Sequence, residues 1–331
     1  MRGPPEPRAP GPLAGVKAAA MSPPDARTRL FTRAVWAVLA YNLAVILWGV
    51  WVRVTGSGAG CGEHWPLCNG VVVPREPAIE TVIELTHRVT SGLALLATVG
   101  LLVAARRVFP AGHRARRAAG WTMGFMVAEA GVGALLVLQG LVAKDDSAAR
   151  ALVMCLHLVN TFLLLGAYLF TGLFAAGMPA PDLRRRPAVT AGLGAAAGML
   201  LLVGTTGAIA ALGDTLFPSS TLLEGIAQDL DPAAHFLLRL RVLHPVFAVA
   251  TGLVLLGFAG LVSANTRVMR VRLFAVGVVG AVALQIVLGF INLILLAPGW
   301  MQLLHLLVAD GLWLLVLATG AQALAEPRAE R

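Results

Sequence analysis

The chain has 331 residues, 58% of them hydrophobic and only 13% charged, with a mean hydropathy of +0.79. Such a composition cannot furnish an ordinary soluble surface and describes an all-α polytopic membrane protein. The formal charge of +9 would suit a nucleic-acid ligand if it gathered on one exposed face. It is spread between apolar runs instead, so it reads as a topology signal, and no nucleic-acid partner is expected.

Residues 1–30 are rich in Pro, Ala and Gly and lack the apolar core of about 7–15 residues that a cleavable signal requires. They are expected to form a disordered cytoplasmic tail, with Met1 or Met21 as the start. Eight apolar runs follow, near 31–53, 79–104, 117–142, 149–177, 188–213, 233–262, 270–297 and 299–323. Each suffices for the roughly 20 helical residues that cross about 30 Å of hydrocarbon. They show no alternation of apolar and polar residues, which argues against barrel strands.

The basic residues orient these spans. Arg2, Arg8, Lys17, Arg27, Arg29 and Arg33, then Arg106, Arg107, Arg114, Arg116 and Arg117, Arg184 to Arg186, Arg267, Arg270 and Arg272, and finally Arg328 and Arg331 all fall on one side. These are 19 of the 26 Lys and Arg residues, and the positive-inside rule makes that side cytoplasmic. The expected location is the plasma membrane, multi-pass, with both termini cytoplasmic.

Between the first two spans lies TGSGAGCGEHWPLCNG, Thr55 to Gly70. This orientation puts it outside, where disulfides persist, so Cys61 and Cys68 are placed to pair through an intervening turn. A structural staple and a redox-active pair are both open. Cys155, inside a helix, reads as a small buried hydrophobe.

Four landmarks then recur: Thr55-Gly56 as Thr206-Gly207, ELTHRV (84–89) as RVLHPV (241–246), EAGVG (129–133) as QIVLG (285–289), and LVMCLHLVN (152–160) as MQLLHLLVA (301–309). The offsets of 151, 157, 156 and 148 residues indicate two tandem, similarly oriented four-helix bundles. The halves are 31–177 and 188–323, joined by a cytoplasmic linker, 178–187, and followed by a cytoplasmic tail, 324–331.

Each half places two histidines in its even-numbered spans: His87 and His157, then His244 and His305. All four lie roughly 10–16 Å below the outer end at about 1.5 Å per residue. A lone membrane histidine is usually a hydrogen-bonded core residue, but four at one depth, paired by a repeat, point to a ligand set. Two imidazoles per half are too few for structural zinc and suit the axial positions of a haem iron. Arg88, Arg239 and Arg241 stand near these histidines on the outer side, placed either to pair with haem propionates or to snorkel to the interface. Pro245 after His244 predicts a distortion of the helix after that residue.

The halves differ at Glu84, three residues before His87 on one helical face, whose repeat partner is Arg241. A carboxylate in such a place is not needed to hold haem and is a candidate for chemistry, although a helix-start carboxylate would look the same. Glu129 in the third span has Gln285 as its repeat partner, so an amide fits that slot.

The stretch VRVTGSGAGCGEHWPLCNG, with IELTHR, LHLVN, RVLHP and LLHLLVAD after it, resembles the haem A synthase family, membrane enzymes that convert haem O to haem A for cytochrome oxidase. The resemblance covers 31–323. It implies a substrate haem (haem O, then haem A) held by His87 and His157 in the first half and a haem b held by His244 and His305 in the second. It also implies a catalytic Glu84 and an outer-loop Cys61–Cys68 disulfide. The implied reaction is a four-electron oxidation of a ring methyl to a formyl group through an alcohol and a hydrated aldehyde, with oxygen from water. Haem O synthase and oxidase assembly factors are the implied partners, besides the lipid bilayer, and a homo-oligomer is left open. Two other classes compete: a non-catalytic dihaem b-type cytochrome, which gives no reason for Glu84 in one half alone, and a repeat-built transporter, which would show broken-helix pairs and midplane acidic clusters.

Overall fold

The computed structural model of the protein describes residues 25–326. Residues 1–24, with Arg2, Arg8, Lys17 and Met21, and residues 327–331, with Arg328 and Arg331, lie outside the described residues. Ten α-helices follow in order among those described: α1 (Ala26–Val54), α2 (Ile79–Val108), α3 (Arg114–Leu138), α4 (Ala148–Ala175), α5 (Pro187–Leu216), α6 (Leu222–Leu230), α7 (Phe236–Arg241), α8 (Leu243–Asn265), α9 (Met269–Ile294) and α10 (Gly299–Ala325). With α7 and α8 taken together as Phe236–Asn265, all eight expected spans are helices of 25–30 residues, long and apolar enough to cross a membrane. The fold is all-α, and the described residues hold no strand beyond an isolated bridge between Cys68 and Val71.

Local chemistry moves several expected boundaries. The first helix begins at Ala26 rather than 31, because the Asp25 side chain accepts from the Thr28 N–H at 2.7 Å and caps it. Ser147 caps α4 in the same way, and Pro187 opens α5 at a position where its missing N–H costs nothing. The sixth span breaks at Val242, before His244 rather than after it. A proline ring opposes the carbonyl four residues earlier, here that of Arg241, so Pro245 disturbs the turn on its N-terminal side.

Packing supplies the tertiary frame. Helix α1 packs on α2 and α4, and α3 packs on both α2 and α4. The later helices repeat the arrangement, α5 packing on α8 and α10, and α9 on both of those. The two groups meet where α4 touches α5 and where α10 touches α1 and α4. The loops bearing the cysteines, the 139–147 loop and α6 share one end of the bundle, here the cysteine-loop end, and the arginine-bearing turns share the other.

Several polar side chains inside this frame are paired across helices. Tyr168 of α4 is fully buried, meets Thr98 of α2 by a hydroxyl–hydroxyl hydrogen bond, and accepts from the Asn42 amide of α1 at 3.1 Å. Trp313 of α10 donates to the Phe162 carbonyl of α4 at 2.6 Å and stacks on that ring with centroids 5.4 Å apart, tying the two groups together. Arg53 of α1 crosses the same boundary, donating to the Ala211 carbonyl at 2.7 Å, to Thr215 at 2.6 Å and to Gln302 of α10 at 2.7 Å.

Tyr168→Phe removes the hydroxyl shared by three helices. Burying the freed Asn42 and Thr98 groups without it should cost about 1–3 kcal/mol, read as a lower thermal unfolding midpoint of the detergent-solubilised protein. An unchanged midpoint would show that this network carries no stability.

Candidate functional site

The four histidines occupy one level of the bundle. His87 is the ninth residue of α2, His157 the tenth of α4, His305 the seventh of α10, and His244 follows the break that opens α8. At about 1.5 Å per residue these positions lie roughly 9–14 Å in from the cysteine-loop end. All four rings are half-buried.

Glycines let the helices come this close. A Cβ on Gly49 of α1 would stand 3.0 Å from His87 Cε1, and one on Gly207 of α5 would stand 3.0 Å from His244 Cε1. These two glycines are separated by 158 residues and play the same part, so Gly207 corresponds in space to Gly49. The likeness of Thr206-Gly207 to Thr55-Gly56 is one of letters only: Gly56 lies past the end of α1 at φ +67° with open space around it. The other histidine of each pair is backed by the preceding helix. Glu129 Oε1 of α3 stands 3.4 Å from His157 Nδ1, and Gln285 Nε2 of α9 stands 3.1 Å from His305 Nε2.

The donor set and its spacing fit an iron porphyrin. The His244 and His305 rings have centroids 6.4 Å apart and planes at 83°. An iron about 2 Å from one nitrogen of each ring sets the centroids about 6 Å apart. Ring nitrogens are also left over: Nδ1 of His87 and of His305 are buried without a hydrogen-bond partner. His87 and His157 are near enough to interact electrostatically. Among the described residues no three His, Cys, Asp or Glu side chains converge as a metal cluster.

Glu84 lies one turn from His87 toward the cysteine loop and is buried, 3% exposed. Its Oε2 accepts from the Cys61 N–H at 2.8 Å, and its Oε1 takes an ion pair from Arg88. The loop is built around this contact. Cys61 and Cys68 are joined as a disulfide. The Gly60 carbonyl accepts from Thr81 at 2.7 Å, and a Cβ on Gly60 would collide with the Glu80 backbone at 2.5 Å. Arg88 also donates to the loop carbonyls of His64 and Leu67.

Of the three arginines singled out from the sequence, two are committed within the protein. Arg88 holds Glu84 and the loop, and Arg241 pairs with Asp214 at 2.7 Å and Asp229 at 2.6 Å. Arg239 is exposed and lines a concavity with Phe236, Leu240 and Leu243 beside His244. Sequence reasoning missed Gly49, whose equal spacing to Gly207 was the available signal, and Arg53. It also missed Asp310, fully buried in α10 with neither carboxyl oxygen partnered. A single acid in an apolar run gives no sign of which way it faces.

The chain is similar to several known proteins. A protoheme IX farnesyltransferase of Thermus thermophilus is 48% identical over 290 residues, covering 87% of this chain and 48% of that protein. A heme A synthase of Symbiobacterium thermophilum is 38% identical over 153 residues, 45% of this chain and 47% of that protein. A heme A synthase of Bacillus mycoides is 42% identical over 98 residues, 30% of this chain and 32% of that protein. The chain thus spans about half or less of the length of the curated relatives it matches. The family described as cytochrome oxidase assembly protein, COX15-CtaA, matches residues 32–317. With that match across all eight spans and all four histidines, the chain belongs to the COX15-CtaA family of cytochrome oxidase assembly proteins, the family of the haem A synthases.

Proposed function

We propose that the protein is a haem A synthase, an oxidoreductase that takes haem O as substrate at His87 and His157 and keeps a haem b at His244 and His305. The observation that carries this reading is the repeated setting of the four histidines, each pair with one ring against a helix glycine and the other against a side chain of the preceding helix. A dihaem cytochrome would use the same pairs. The buried Glu84 in the first group alone favours an enzyme.

The reaction converts a ring methyl and one water to a formyl group, releasing four protons and four electrons. Glu84 stands one helical turn from His87, on the side that faces α1, and would take a proton from the attacking water. The Cys61 N–H and Arg88 hold its carboxylate in one orientation, leaving lone pairs for the water. Glu84 is 3% exposed with the cysteine loop against it, so the loop would restrict bulk water there. A haem b held by His244 and His305 would supply a one-electron carrier. Arg239 is the candidate propionate contact with an exposed guanidinium, while Arg88 and Arg241 would act through the carboxylates they already hold. Haem O synthase and oxidase assembly factors are the partners this reading implies.

The positive-inside rule makes the arginine-bearing end cytoplasmic and the cysteine loop external. In a Cys155→Ser background, a cysteine at exposed Ala227 should react with an impermeant maleimide added to whole cells, and one at exposed Arg185 should not. The reverse pattern overturns the orientation.

Replacing His244 or His305 by Ala should deplete the haem b from purified protein, and replacing His87 or His157 should deplete the substrate haem. Haem extraction with mass measurement checks this, and loss of one and the same haem from all four variants would contradict two sites. Glu84→Gln keeps size and most hydrogen bonding, so it should retain both haems while turnover falls about 10²–10⁴-fold, as for loss of a general base. Haem O or its alcohol would then accumulate. Wild-type turnover by this variant would remove Glu84 as the base.

A further inference from the structure

The two groups place different chemistry behind their second histidine. In the first, the Glu129 carboxylate sits against His157 Nδ1 at 3.4 Å, an electrostatic contact rather than a short hydrogen bond. It is held there by two further α4 side chains on the same face, the Asn160 amide and the Thr161 hydroxyl. Asn160 is anchored in turn on the Phe125 carbonyl at 2.9 Å. In the second group the corresponding side chain is Gln285, whose amide nitrogen meets His305 Nε2 and the His305 carbonyl, each at 3.1 Å. The residues three and four beyond His305 are Val308 and Ala309. A set of Glu, Asn and Thr around one histidine is therefore exchanged as a whole for Gln, Val and Ala around the other. Asn160 and Thr161 each donate to one oxygen of the half-buried Glu129 carboxylate, whereas Gln285 Oε1 has no partner, so the donors accompany the charge and are missing where the charge is missing.

On the reading that these histidines bind haem iron, we infer that Glu129 is a positioning residue that makes the first haem site electron-rich, and that Gln285 leaves the second without that charge. A carboxylate against the far nitrogen of a ligating imidazole fixes the ring's tautomer and raises the ligand's basicity. Greater donation from the axial ligand favours the ferric state and lowers the reduction potential. The amide at the corresponding position of α9 meets the other ring nitrogen of its histidine, Nε2, and brings no charge. The first site thus has a lower potential than the second, and the ordering favours electrons leaving the haem being oxidised for the haem that stays.

The test is spectroelectrochemistry of the purified full-length chain carrying its bound haems. Glu129→Gln should keep both haems and shift the first site's midpoint potential upward, with the second unchanged. Gln285→Glu should shift the second site's potential downward. A Glu129→Gln protein with both haems bound and an unmoved potential would overturn the inference while leaving the haem-site assignment intact. If Glu129→Gln cannot load the first site, Glu129→Asp and Gln285→Glu decide: a retained charge should hold the first potential near wild type, and an added charge should lower the second. No shift from Gln285→Glu would overturn the inference. A wild-type protein that binds a single haem would instead overturn the two-site assignment on which it rests.

Discussion

An imidazole set a third of the way across a hydrocarbon layer has no water to satisfy it, and an unpartnered polar group in such a medium costs several kcal/mol, about 2–7 by transfer measurements. Four of them at one level therefore dictate much of the surrounding packing. Backbones must approach until a ring lies against a glycine, as at Gly49 and Gly207, and a polar side chain must be aimed from the preceding helix, as Glu129 and Gln285 are. Helix associations inside a bilayer gain little from the hydrophobic effect, so close approach and polar pairing are the interactions left to hold it. Tyr168 with Asn42 and Thr98, and Trp313 with the Phe162 carbonyl, do for the frame what the glycines do for the histidines.

Repetition explains the frame, and its departures point to function. Both groups share the order of neighbouring helices and the setting of their histidines. They part at Glu84, where the second group has Arg241 facing Asp214 and Asp229, and at Glu129, where it has Gln285. At these two positions the first group thus carries a buried and a half-buried carboxylate beside its histidines, and the second has an arginine and an amide. On the proposed reading, the carboxylates at these two positions belong to the group where the substrate is oxidised.

The eight spans were legible because twenty apolar residues in a row have few other fates. Their ends were less so: Asp25 caps α1 from within a Pro-rich stretch that reads as tail, and the Pro245 break falls on the side of His244 set by the carbonyl it opposes. That the four histidines share one level was legible from spacing, because a helical repeat preserves depth, and Glu84 stood out as a break in that repeat. Their partners were not. Arg241 reaches acids 12 and 27 residues back along the chain, and Arg53 reaches Gln302 across the boundary between the groups, so neither pairing leaves a local pattern. Glu129 was visible as a slot shared with Gln285, but its service to His157 required the contact itself. The mistaken pairing of Gly207 with Gly56 came from matching dipeptides where the matched quantity was distance to a ring.

The cysteine loop belongs to this site rather than to the surface it covers. A glycine-rich run of this length would sample many conformations, and a bond between residues 61 and 68 removes a share of them from the unfolded chain. What the closed loop then presents is a backbone N–H, that of Cys61, against Glu84, with the Gly60 carbonyl seated on Thr81 and no space there for a Cβ. Arg88 completes the clamp by binding the carboxylate and two loop carbonyls at once. Loosening any of the three frees the others, since Glu84 has one oxygen on the loop and one on the arginine. The disulfide thus fixes the orientation of a buried carboxylate more than twenty residues along the chain, which accounts for a stapled, glycine-rich loop directly above a pair of membrane histidines.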